Sequence, residues 1–150
     1  MTLAIATIAN SIAALSISGV NIKDVDQIPP NADRLEPVLF PEPLGFVTDF
    51  NLTRDSQGSN TFLAKYTVTY NLHYTFLFAP VGSGRTGLDL YDDMVGKAFA
   101  ILDAIISNDA ITGAVDIQPA ETLDFGPVPD PAGNMYIGCR FVFQITEFVN

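Results

Sequence analysis

The sequence predicts an α+β domain: a mainly antiparallel β-sheet with a long hairpin and two helices packed on one face. Three observations lead there. Residues 61–78 alternate with period two and are rich in Thr, Tyr and Phe, every even position from Phe62 to Phe78 being apolar or aromatic. Two other segments, 3–17 and 88–107, carry apolar residues at helical spacing. The order helix, hairpin, helix, strands lacks the βαβα alternation of a parallel sheet.

Each element has its own signal. Thr2 is placed to cap the first helix, with Ile5, Ile8, Ile12 and Leu15 on one side and Gly19 beyond its end. Val20, Ile22 and Val25 suggest a short extended segment. Pro29, Pro30, Pro37, Pro41 and Pro43 make 29–43 stiff, extended and poor at regular pairing. This stretch reads either as a connector lying on the surface or as a docking arm. Residues 45–54 read as a strand with Phe46, Phe50 and Leu52 on one face, and 55–60 as a turn, so that 45–78 forms one large hairpin.

The loop 82–87 leads into the second helix, whose apolar stripe is read as Tyr91, Val95, Ala98, Leu102, Ile105 and Ile106. Short strands broken at Pro119 are expected over 111–125, and a turn at Asp130–Asn134. A last strand over 135–149 puts Met135, Ile137, Cys139, Phe141, Phe143 and Ile145 on one face. All of this fits a single domain over 1–150, long enough for a real core.

The long strand poses a problem of size. At about 3.3 Å per residue it would span roughly 55–60 Å, against a domain diameter near ~40 Å. It must bend, break or project. A projecting aromatic face needs another subunit to cover it, which nominates Phe62, Tyr66, Tyr70 and Tyr74 as subunit-interface residues. Arg85 joins them, as the only cation between Lys65 and Lys97, on a glycine-rich loop whose ordering a fixed contact must offset.

Composition narrows the function classes. Hydrophobic residues make up 48% and charged residues 16%, which excludes a disordered chain and suggests surface covered by partners. The net charge is −10 and the seven basic residues are scattered singly, so no sequence-specific nucleic-acid binding is expected. An acidic surface suits a protein that DNA slides past. Residues 1–22 carry no charged side chain, yet lack the basic start of a signal peptide, and polar residues interrupt them too often for a membrane span. They read as an Ala-rich core helix, with no membrane partner.

No constellation for chemistry emerges. Gly82, Gly84 and Gly87 match the spacing Gly-x-Gly-x-x-Gly, but no lysine follows and no βαβ unit surrounds them. His73 is the only histidine and lies on the polar face of its strand, whereas Cys139, the only cysteine, lies on an apolar one. Asp24, Asp26, Asp89, Asp92, Asp93 and Asp103 have no metal-loop spacing and read as solvated acids. Asn51-Leu52-Thr53 is a glycosylation sequon, relevant only to a secreted chain. Neither catalysis nor a cofactor nor a metal is expected.

Several segments, in order, resemble the tail terminator proteins of long-tailed bacteriophages. They are Gly19–Pro29, Glu36–Pro43, Ala79–Arg85, Ser107–Asp116, Asp130–Asn134 with Gly138 and Cys139, and Thr146–Val149. The resemblance runs over nearly the whole chain and carries no catalytic residues. It implies a homohexameric ring at the head-proximal end of the tail, in the virion, assembled in the host cytoplasm. Such a ring stops tail-tube growth and joins the tail to the head connector. Its partners would be a tail-tube protein below and a head-completion or connector protein above, with DNA passing through the lumen. Another virion subunit (tail-tube, neck or decoration protein) is the alternative, and a small-molecule binding module a further one.

Overall fold

A computed structural model of the chain describes residues 3–54, 66–82, 84, 87–108, 111, 115–119 and 122–149. Two 15-residue strands, β4 (Tyr66–Pro80) and β7 (Met135–Val149), pair antiparallel along their whole length and form the spine of a seven-stranded sheet. Short strands continue it outward in pairs. β2 (Val38–Pro41) and β3 (Val47–Arg54) follow one another along the free side of β4. β5 (Val115–Pro119) and β6 (Phe125–Pro129) do the same along β7. A two-residue strand, β1 (Asn21–Ile22), adds parallel to β2, and every other pairing is antiparallel.

The helices α1 (Ile5–Ala13) and α2 (Leu88–Ile106) both pack on one face of this sheet, as the order of elements predicts. The even residues of β4 from Val68 to Phe78 meet Cys139, Phe141, Phe143 and Ile145 of β7, with Ile8 and Ile12 of α1 and five α2 side chains above them. A smaller core lies on the opposite face. There the segment 28–37 brings Ile28, Ala32 and Leu35 over Val38, Phe40, Leu77, Val128 and Tyr136.

Of the long run, residues 66–78 lie in β4, and a bulge between Leu77 and Ala79 gives β4 one residue more than its partner near its end. Gly138 sits opposite. A Cβ there would lie 1.9 Å from the Phe76 carbonyl oxygen, so only glycine allows the two backbones to close at this point.

Four expectations need correction. α1 starts after an Ala4 N-cap rather than at Thr2, and ends at Ala13, not Leu15 or beyond, because 17–20 turn back through an Ile17–Val20 bridge. Val25 is no strand residue: Asp24 and Gln27 form a capping box around a single 3₁₀ turn, Val25–Gln27. Part of the proline-rich stretch does pair regularly. Prolines bracket β2, whose four residues are all buried. The buried stripe of α2 is Leu90, Met94, Ala98, Ile101 and Ile105: Ala98 and Ile105 are as the pattern suggests, but Leu90, Met94 and Ile101 replace Tyr91, Val95 and Leu102, and Tyr91 and Ile106 are exposed. The turn expected at 55–60 and the first residues of the long run lie outside the described residues.

Candidate assembly surfaces

Two of the nominated interface aromatics belong to the chain's own core. Tyr70 and Tyr74 are each 1% exposed. The reason is the helix layer: α1 and α2 cover the aromatic face of β4, so the surface that seemed to need a partner is buried internally. Tyr66 is half-buried at the margin of the same core. Phe62 and Arg85 lie outside the described residues.

Tyr70 has a specific task that the pattern did not reveal. Its hydroxyl donates to Oε2 of Glu147, a carboxylate only 6% exposed. The Ala4 N–H donates to both Glu147 oxygens, at 2.9 and 3.1 Å. Ala4 is the N-cap of α1 and has no capping side chain of its own, so Glu147 supplies the negative charge that a helix N-terminus favours. Burial, then the hydrogen bond and charge of Glu147, push the Tyr70 hydroxyl well above its ordinary pKa. A signal for this clasp was present: Glu147 continues the alternation of Cys139, Phe141, Phe143 and Ile145, an acid where the strand faces the core.

Cys139 and His73 stand on opposite faces of the sheet and form no catalytic pair. Cys139 is buried in the main core, and burial pushes its thiol up to about 12. His73 projects from the other face, where its Nε2 lies 2.5 Å from Thr48 Oγ1. Around it the same face is mostly polar and uncharged, Thr69 facing Thr146 and Asn71 facing Gln144, until Thr67 faces exposed Phe148 at its end. Glu42 accepts from Thr75 and pairs with Arg140 at 3.1 Å on that face. Among the described residues no group of three His, Cys, Asp or Glu side chains is arranged to hold a metal. No described helix is long and apolar enough to cross a membrane.

What the surface does carry is apolar. A groove of about 540 Å³ runs between α1 and the 24–26 turn, lined by Leu3, Ile5, Ala9, Val25 and Phe46 with Asp24 and Asp26 beside them. β3 shows Phe50, 52% exposed and stacked on Tyr70, together with exposed Leu52. α2 shows Tyr91, Phe99 (57% exposed) and Ile106.

The sheet borders differ in a way that concerns assembly. β1 covers the outer side of β2. β5 ends in Pro119, and β6 contains Pro127 and Pro129, residues without an N–H to offer a new strand. β3 has neither cover nor proline over its eight residues, and among the described residues no strand pairs with its outer side.

No family model matches the chain, and a search of curated proteins finds no match to it.

Proposed function

We propose that this chain is a structural subunit of a bacteriophage virion, a ring at the head-proximal end of the tail that ends tube polymerisation and joins tail to head connector. The observation that carries the reading is the β3 border: an open strand of eight residues with Phe50 and Leu52 exposed. Soluble chains that work alone shorten, charge or cover such an edge. β3 carries Asp49, Arg54 and a bulge between Thr48 and Asn51, but among the described residues no strand or proline closes it as the other long borders are closed.

Two further features support it. The scarcity of charge and the net charge of −10 suit a surface largely covered by neighbours, with a lumen that repels the DNA passing through it. The ordered resemblance to tail terminator proteins is what supports the head-proximal place in the particle. The one thiol is sealed in the core and the one imidazole is held against Thr48.

Electron microscopy tests this directly. Purified protein is expected to form closed rings, and antibody or gold label on the subunit should sit at the tail–head junction of particles. A chain that stays monomeric at high concentration and is missing from purified virions would overturn the reading.

A further inference from the structure

α2 carries more apolar surface than its own core uses. Beside the buried stripe runs a second one, Tyr91, Val95, Phe99, Leu102 and Ile106, with three of its five members exposed. At about 100° per residue, Asp92 and Asp103 fall along the outer margin of this stripe, next to Phe99. Gly96 and Ala100 leave the helix surface beside Phe99 low, with room for large side chains from elsewhere.

The topology fixes where this stripe lies. Leu102 lines a small cavity together with Pro119, Leu123 and Phe141, so the stripe looks out over the β5–β6 border. Lys97, on the opposite flank of α2, reaches toward Gly19 below the end of α1. β3 forms the other border of the sheet. Its Leu52 pairs with buried Val68 and its Arg54 with Tyr66, which puts Phe50, Leu52 and Arg54 on the same helix-bearing face. One face of the molecule therefore has an apolar patch at each lateral border. The β3 patch ends in a cation that makes no ion pair among the described residues, and the α2 patch is edged by two carboxylates.

We propose that a second copy of this chain is the occupant of both patches: Phe50, Leu52 and Arg54 of one copy seat on the Tyr91–Phe99–Ile106 flank of α2 in the next, with Arg54 beside Asp92 and Asp103. The proposal rests on the ring reading above and names the surfaces that close the ring. A head-to-tail contact covers both patches at every interface, whereas a two-fold contact through β3 alone leaves the α2 stripe in water. Opposite charge at the rim orients the copies, and like charge placed there disfavours them.

The test uses full-length protein. Leu52→Cys and Phe99→Cys chains, mixed under mild oxidation, are expected to give a disulfide-linked pair containing one of each. Neither variant alone should cross-link, because native Cys139 is buried. Arg54→Glu, and separately Asp92→Arg with Asp103→Arg, should lower the assembled fraction by about tenfold or more. All three changes in one chain should restore it. These side chains are exposed, so the dilute monomer keeps its melting temperature and loss of assembly is not loss of fold. A Leu52→Cys homodimer would show β3 meeting β3 and overturn the proposal. Rings that persist in the single-charge variants, with no mixed cross-link, would overturn it while leaving the ring itself standing. A wild-type chain that never assembles would sink both.

Discussion

Gly138, Tyr70 and Tyr74 show how little separates a tolerant position from an intolerant one. Gly138→Ala puts a methyl against the Phe76 carbonyl at the bulge, where backbone on both sides resists movement. The expected loss is about 2 kcal/mol or more, read from chemical denaturation. The two tyrosines should respond oppositely to loss of the hydroxyl. The Tyr74 hydroxyl is buried without a hydrogen-bond partner among the described residues, so Tyr74→Phe should be neutral or stabilising by about 1 kcal/mol. Tyr70→Phe strips a donor from buried Glu147 and should cost about 1–3 kcal/mol.

pH sharpens the contrast between these residues. Burial raises Tyr74, Tyr70 and Cys139 above their unfolded values, with Glu147 adding to the rise at Tyr70 and Asp24 at Tyr74. Below about pH 8 both folded and unfolded chains hold these protons, and the contribution to stability is complete. As pH climbs past about 9–10 only the unfolded chain releases them, so stability falls toward the folded values. Tyr74→Phe removes one of these titrations and should make the alkaline decline shallower in melts taken from pH 8 to 11. An unchanged slope would show that the Tyr74 hydroxyl already reaches solvent.

At the scale of elements, a buried carboxylate helps tie the segment 28–37 to the sheet, beside the bonds that Asn21 makes to Leu35 and Pro37. Asp130, 4% exposed, accepts from the Ala32 N–H at 3.0 Å and from the Asn134 N–H at 2.8 Å. It thereby ties the proline-rich segment to the turn between β6 and β7. Burial alone would raise its carboxyl, but the donated N–H bonds outweigh burial and hold it below the ordinary value. Its contribution is thus present above the ordinary carboxylate pKa of about 4 and is lost as pH falls through the lower folded value. Asp130→Ala should cost about 1–3 kcal/mol at neutral pH, and the gap from wild type should narrow in acid. Hydrogen exchange should report faster opening over 28–37. Unaltered protection there would show that packing of Ile28, Ala32 and Leu35, with the Asn21 bonds, holds the segment without Asp130.

For the whole molecule, assembly links stability to concentration, because a partner that binds only the folded state raises the melting temperature by mass action. The wild-type melting temperature is expected to climb with protein concentration. Leu52→Lys, which places a charge on the open strand, should abolish that climb and leave the dilute value within a few degrees of wild type. A large drop at high dilution would instead mark Leu52 as part of the monomer's core.

Local pattern was enough for the α+β class, for both helices on one face, for the extents of α2 and β7, and for Cys139 facing inward. These follow from periodicity and turn residues, which act over a few neighbours in the chain. Even the burial of Glu147 was written in its place in the alternation of β7. The interface was less legible. Tyr70 and Tyr74 looked like a face awaiting another subunit, because a strand's pattern says which side is apolar but not what lies over it. Only the packing of α1 and α2 gave that face to the monomer. The same packing chose Leu90, Met94, Ala98, Ile101 and Ile105 from a helix with apolar residues on two adjoining stripes, and left Tyr91, Phe99 and Ile106 outside. The border of β3, open among the described residues, was likewise invisible in sequence, since an edge is defined by the strands that do not arrive beside it. Alternation and spacing are properties of neighbours along the chain; exposure is decided by segments far apart in it.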